Sequence, residues 1–304
     1  MGLFGNKKIE IFKPKARRNI GIVGLGMIGG SIAKAIVENM DGANLVGVDT
    51  RRETLDLCMK EHIINFGHTD LNILRGCEAV FICTPIEAVP DMVRKVFDVV
   101  GDSAVITDVA GVKRPVFGAL PKGVRFVAGH PMAGSEKQGF ENSDSAFMEK
   151  CNYILIREIN TVKADFDLIK GIINCFTDNI VELDIEGHDR AVALASHLPH
   201  IIAYALSKTV LSDDDAAAVI AGGFKDITRV AQSDTSLWVN TCRMSDKAVI
   251  ESIDEYIAEL LCVKEMIAKK QWEELSGYFE TARELRLNIN KQNIKKEDKG
   301  NDKA

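Results

Sequence analysis

Four blocks of this 304-residue chain carry side chains able to do chemistry. His130 stands within Gly129-His130-Pro131-Met132-Ala133-Gly134-Ser135-Glu136. An imidazole, with an ordinary pKa of about 6.5, accepts a hydroxyl proton at neutral pH. The proline and glycines around it restrict its backbone. The same setting also suits a structural histidine in a turn. His197 and His200 belong to Ser196-His197-Leu198-Pro199-His200. Three residues apart on a helix, they share a face, and Pro199 removes a backbone donor and kinks that helix. The pair suits hydrogen bonding to a substrate; two packed core histidines are the bland alternative. No further His or Cys cluster stands at ligand spacing, so no metal is expected. The third block, Gly222-Gly223-Phe224-Lys225-Asp226-Ile227-Thr228-Arg229, lets the backbone come close to a ligand. Arg229 can grip a carboxylate through two parallel hydrogen bonds, or pair with Asp234 on the surface. Trp238 either walls a ring-binding pocket or sits in the core.

A fifth block binds rather than reacts. Gly24-Leu25-Gly26-Met27-Ile28-Gly29 follows an apolar strand, opens a helical pattern, and has an acid, Asp49, 20 residues past its last glycine. That context is the dinucleotide fingerprint. Gly24 permits the tight turn, Gly26 the approach of a pyrophosphate, and Gly29 close helix packing. The pyrophosphate would sit at the helix N-terminus, on free N–H groups and the dipole. The cofactor then lies against Gly24, Gly26, Met27, Ile28 and Gly29, with Asp49 and Thr84 at neighbouring strand ends. Asp49 on the ribose hydroxyls favours NAD over a 2′-phosphate. Arg51 and Arg52 blur this, since either could stack on adenine, meet a phosphate or simply start a helix.

Alternating elements must position these groups. Short Val/Ile-rich strands are expected at 19–24, 44–48, 79–83, 104–107, 124–128, 153–156 and 180–183, with helical stretches at 27–40 and 165–176. This argues for a parallel sheet covered on both faces. Ligands then bind outside the strands' carboxyl ends, where Asp49, Thr84, Asp108 and His130 all fall. From about residue 186 strand signals stop. Helices are expected at 187–209, interrupted at Pro199, and at 213–221, 245–269 and 271–286. The fold expected is an α/β Rossmann-type dinucleotide-binding domain at 19–185, followed by an all-α domain at 186–286. The apolar faces of the latter suggest a homodimer. Residues 1–18, with six basic residues and one acid, read as a solvated arm without a secretory core. Met1-Gly2 lacks the Ser or Thr that a myristoylation signal carries at its sixth residue. Residues 287–304 read as a disordered charged tail.

Composition narrows the class. Hydrophobic residues make up 46% and charged residues 27%, which is ordinary for a globular chain. No apolar run reaches the roughly 18 residues of a membrane helix. The net charge of −6 argues against a nucleic-acid partner, whose phosphates need basic surface. Seven cysteines, odd in number and without a CxxC pair, fit a reduced cytoplasmic setting.

Taken together, GHPMAGSE at 129–136, SHLPH at 196–200, GGFKDITR at 222–229 and Trp238 resemble the prephenate/arogenate dehydrogenase family of tyrosine biosynthesis, from Asn19 to about Arg286. The resemblance implies an NAD-dependent oxidative decarboxylation that leaves an aromatic ring. It makes His130 the catalytic histidine and Arg229 and His200 substrate ligands. His197, Ser196, Ser135, Glu136 and Trp238 are further pocket residues by the same resemblance. Prephenate and arogenate stay open as alternative substrates. Arg229 is expected to hold the side-chain carboxylate, because gripping the departing one would stabilise the ground state. One departure is Gly111, where the family often has a serine beside the catalytic histidine. Two rivals share only part of the pattern. Another two-domain NAD(P)-dependent reductase would have the glycine loop and helices without GHPMAGSE and SHLPH. A non-enzymatic NAD(H)-binding sensor would need neither His130 nor Arg229.

Overall fold

The computed structural model describes residues 18–133 and 137–301, with side chains to residue 289. The basic arm therefore lies outside the described residues but for Arg18, as do Ser135 and Glu136.

Apolar β-branched runs form the strands. β1 (Arg18–Val23) leads through the glycine loop into α1 (Met27–Asn39), and β2 (Ala43–Val48) into α2 (Arg52–Lys60). β3 (Phe66–His68) follows, a strand too short to show a sequence period. β4 (Ala79–Ile82) leads to α3 (Val89–Val100), and β5 (Val105–Asp108) to α4 (Arg114–Gly118). These five strands make a parallel sheet in the order β3-β2-β1-β4-β5. The order reverses between β1 and β4, and such switch points are where open α/β sheets take ligands. Every residue of β4 and β5 is buried, as expected where helices cover both faces. One core layer packs Ile32, Ile36 and Phe166 under Ile20 and Ile22. The opposite layer packs Val93, Val96 and Val100 of α3 under Val80 and Ile82.

The chain then changes sheets. The strand expected at 124–128 is reduced to a single parallel bridge, with Phe126 opposite Ile106. The strand that forms is β6 (Gly129–Pro131), and it belongs to a second sheet, β6-β7-β8. There β6 runs antiparallel to β7 (Tyr153–Ile156), while β7 and β8 (Ile180–Leu183) are parallel. The physical reason lies at Gly129. Its N–H donates to the Asp108 carboxylate at 3.3 Å and its carbonyl accepts from Lys113 Nζ at 2.6 Å. Side chains thus take the groups that would have continued pairing with β5. His130 accordingly sits inside a short antiparallel strand, not beyond the carboxyl end of a parallel one.

The helices α5 (Ser145–Lys150) and α6 (Lys163–Ile173) complete the α/β part. α7 (Ile185–Val192) starts at Asp184, whose carboxylate accepts from Gly187 N–H at 2.7 Å. A π turn, Ala193–His197, joins it to α8 (Leu198–Leu211). Pro199 cannot donate to the carbonyl of Ala195, so the ladder widens ahead of it. Then come α9 (Asp214–Ala218), α10 (Gly222–Thr228), α11 (Thr235–Met244), α12 (Asp246–Ala268) and α13 (Trp272–Asn301). The α/β Rossmann-type sheet followed by helices is the architecture the sequence implies. One detail differs: α13 runs on through 287–301, where a disordered tail was expected; its Lys, Glu and Gln residues are good helix formers. Contacts divide the chain into two compact units between Val249 and Ile250. Val192 of α7 packs with Ala128, Ile154 and Ile156, which ties the first helices to the second sheet. Residues 250 onward form a separate compact unit, the rest of α12 and α13, in which Tyr278 Oη donates to Glu259 at 2.7 Å.

Candidate active site

The glycine loop is built as a cradle. Gly24 has φ +92°, and a Cβ there would lie 2.7 Å from the Cys83 carbonyl oxygen. A Cβ on Gly29 would lie 2.0 Å from the Gly24 carbonyl oxygen. Both glycines are demanded by the protein's own backbone. Gly26 is different: a Cβ there would meet nothing within 4 Å. The open space lies at the N-cap of α1, which no side chain caps and whose first turn carries no acid. Beside it, Thr84 Oγ1 at the end of β4 is buried without a hydrogen-bond partner. An uncapped helix start, an empty approach at Gly26 and an orphaned hydroxyl fit a bound dinucleotide. Asp49 braces the loop, accepting from Leu25 N–H at 2.8 Å and from Arg51 N–H at 2.9 Å. Its carboxylate has lone pairs left for a ribose.

Around His130 the framework is fully buried. Lys113 and Asp108 form an ion pair at 2.7 Å, both side chains without solvent exposure. Asp108 also accepts from Ala110 N–H. His130 Nδ1 lies 3.0 Å from His188 Nε2, and His188 Nδ1 lies 2.8 Å from Asp189 Oδ1. Asp189 further accepts the backbone N–H groups of Lys113 and Arg114 at 3.1 and 3.2 Å. Burial pushes His130 well below its ordinary value, and the charge of Lys113 adds to this. Burial likewise lowers His188. For Asp189 burial acts upward, but hydrogen bonds from His188 and the two backbone donors outweigh it and hold the carboxyl low. The imidazoles are therefore neutral and the carboxylate ionised at neutral pH. The backbone at Gly111 borders His130: a Cβ there would be 3.6 Å from Nε2 and from Cε1.

The helical residues close the cluster. His197 is buried, with Nδ1 unpartnered, and burial takes its pKa down to about 4. His200 Nδ1 donates to the Ser196 carbonyl at 2.9 Å, so Ser196 contributes its backbone. That bond leaves Nε2 of the neutral ring as an acceptor. Trp238 stacks on His200, centroids 3.6 Å apart, and meets His197 edge-on at 6.1 Å. Trp238 also helps to line an apolar cavity of about 350 Å³, together with Ile201, Tyr204 and Val239. Burial lowers His200, and the neighbouring Arg229 charge adds to this. Arg229 is exposed and forms no ion pair among the described residues. Asp234 caps α11 and accepts from Gln138 instead. Among the described residues, no three His, Cys, Asp or Glu side chains are placed to hold a metal.

Proximity thus links His130 to His197, His197 to His200 through Trp238, and His200 to Arg229. Lys113, His188 and Asp189 belong to the same cluster, and sequence reasoning passed over them. Their one signal was a His-Asp pair placed so that His188 and Val192, four apart, share the buried face of α7.

A switch-point cradle and a partly buried, neutral imidazole define a dinucleotide-binding fold of the dehydrogenase type. Two family descriptions match the chain: "Prephenate dehydrogenase, nucleotide-binding domain" at residues 32–181, and "Prephenate dehydrogenase, dimerization domain" at 184–281. The chain belongs to the prephenate dehydrogenase family. It is 30% identical to a Bacillus subtilis prephenate dehydrogenase over 275 residues, 87% of this chain and 74% of that protein. It resembles the crystal structure of A. aeolicus prephenate dehydrogenase in complex with hydroxyphenyl propionate and NAD+, with TM-score 0.83, 28% identity, and 91% and 100% of the two chains covered. A Synechocystis arogenate dehydrogenase structure aligns with TM-score 0.79, 26% identity, and 88% and 98% covered.

Proposed function

We propose that this protein is an NAD-dependent prephenate dehydrogenase, converting prephenate to 4-hydroxyphenylpyruvate and CO2. Family membership supports the substrate class. The observation that carries the chemistry is His130, neutral and partly buried, with Nδ1 engaged by His188 and Nε2 left for a substrate hydroxyl. Gly24, Gly26, Met27, Ile28, Gly29, Asp49 and Thr84 would hold NAD, which when bound supplies the hydride acceptor. Asp49 supports NAD over NADP, since a carboxylate repels a 2′-phosphate.

His130 Nε2 accepts the proton of the ring hydroxyl as the carbonyl forms and the hydride leaves its carbon. The ring carboxylate then departs as CO2, the electrons of the broken bond complete the aromatic ring, and its oxygen takes a proton back to give the 4-hydroxyl. Arg229 supplies permanent charge for the side-chain carboxylate. His200, braced on Trp238, offers Nε2 to the substrate, and His197 lines the same wall. Ser135 and Glu136 are assigned to the pocket by family resemblance alone.

Arogenate is the second reading, supported by likeness to the Synechocystis arogenate dehydrogenase. The deciding experiment presents prephenate and arogenate, each with NAD and with NADP, and follows absorbance of the reduced nicotinamide. Turnover is expected with prephenate and NAD; no turnover in any of the four mixtures would sink the proposal.

Assembly as a homodimer through the helical region is also proposed. Ile257, Leu260, Leu261, Trp272 and Phe279 are exposed on α12 and α13, and the matched family description names a dimerization domain. Light scattering should return twice the chain mass. A cytoplasmic setting fits seven cysteines that are all free thiols, and no described helix is long and apolar enough to cross a membrane.

A further inference from the structure

We propose that His188, fixed by Asp189, is a positioning residue that holds His130 in the Nδ1–H tautomer and so presents the Nε2 lone pair to the substrate. The inference rests on the reading of His130 as proton acceptor.

The argument follows from what each atom can do. An ionised carboxylate only accepts hydrogen bonds, so the proton between Asp189 and His188 resides on His188 Nδ1. A neutral imidazole carries one N–H. His188 Nε2 is then a lone pair, and the proton of the 3.0 Å contact belongs to His130 Nδ1. Nε2 of His130 is left as the basic nitrogen. Neither link is free to turn. Asp189 is held from two backbone amides, and His188 is fully buried on α7. Of the groups facing this pair, Lys113 on the loop after β5 is paired with Asp108, and His197 on the π turn is neutral at neutral pH. No other carboxylate or cation among the described residues hydrogen-bonds His130 or His188. When Nε2 takes the substrate proton, the new imidazolium keeps its Nδ1–H on His188, and the Asp189 charge stabilises it through the intervening ring. No proton need pass to Asp189.

Two measurements test this, one of which needs no turnover. In protein labelled with 15N-histidine, assigned against His130→Asn, His130 should show a protonated Nδ1 and an unprotonated Nε2 in the wild type. The protonated nitrogen should switch to Nε2 in His188→Leu. A wild-type ring protonated at Nε2 overturns the proposal whatever the enzyme's substrate. In kinetics, His188→Leu should lose about 100-fold in kcat, the order expected for a misplaced reacting group, with KM for both substrates little changed. His188→Gln, whose amide oxygen can reach toward the same Nδ1–H, should recover much of that loss. Equal losses for the leucine and glutamine variants, or none for leucine, overturn it. If the labelled wild type shows the predicted tautomer but turns over neither prephenate nor arogenate, the functional reading falls and the positioning role stands.

Discussion

Lys113 Nζ lies 2.6 Å from the carbonyl oxygen of Gly129, the residue immediately before His130. The same ammonium is 2.7 Å from Asp108, which accepts the Gly129 N–H on its other oxygen. A buried ion pair thus clamps both polar groups of one glycine and fixes the backbone that carries the imidazole.

Removing one partner leaves the other charge buried and uncompensated. Lys113→Met should therefore cost about 3–5 kcal/mol of stability, read by urea or guanidinium unfolding. Adding Asp108→Asn should recover part of this, because a neutral amide needs no counter-charge. A single variant as stable as the wild type would show that the pair is not closed in solution.

His130→Asn should lower kcat by about 100- to 10,000-fold, as expected for loss of a general base, while KM changes little. Burial sets the pH dependence. The base must be unprotonated, and its pKa lies well below 6.5. Activity of the wild type should therefore persist as pH falls through 6.5 and decline only further down. A kcat/KM profile with its acid limb at or above 6.5 would contradict this.

Arg229 is charged, exposed and free of an ion pair among the described residues, so its guanidinium is available to a carboxylate. Arg229→Ala should raise KM for the substrate by about 10- to 100-fold, the weight of a charged hydrogen bond, with a smaller effect on kcat. Arg229→Lys should restore only part, since an ammonium lacks the planar fork. An unchanged KM would reassign the residue.

Two of the loop glycines should separate in experiment. Gly29→Ala places its methyl 2.0 Å from the Gly24 carbonyl oxygen and should lower the melting temperature or prevent folding. Gly26→Ala meets nothing in the protein. It should fold with an unchanged melting temperature yet bind NAD more weakly, as seen by nicotinamide fluorescence titration. Equal cofactor affinity for Gly26→Ala and wild type would remove that glycine from the binding site.

His197 makes the fold acid-sensitive. Its pKa is about 4 when folded and 6.5 ordinarily. Between those values the unfolded chain binds the proton and the native state does not. Stability is then full above about 6.5 and falls with decreasing pH, by about 3 kcal/mol once pH 4 is reached. His130, His188 and His200 act in the same direction. Denaturant unfolding across this window should show a shallower pH slope in His197→Gln than in the wild type; identical slopes would exclude His197 as a source.

The parallel sheet was legible because its strands are continuous apolar runs ending in loop residues, and the glycine loop because each glycine has a local geometric reason. His130, His197, His200, Arg229 and Trp238 were legible as reactive types in distinctive neighbourhoods. What stayed hidden depends on contacts between distant segments. Asp189 is a surface-type residue on a helix until the backbone of Lys113 and Arg114 is brought against it, 76 and 75 residues away. The departure of β6 from the first sheet was hidden for the same reason, since side chains and not strand pattern cause it.

The widened turn before Pro199 sets the angular phase of everything after it. Nine residues separate His188 from His197. At about 100° per residue an unbroken α-helix would aim them in opposite directions. One residue absorbed by the wide turn reduces the offset to roughly 80°, and both imidazoles end up buried near His130. A chain shortened by one residue at Ala195 should let the wide turn close into ordinary helix with the same offset of roughly 80°, so the downstream groups should keep their place in the cluster.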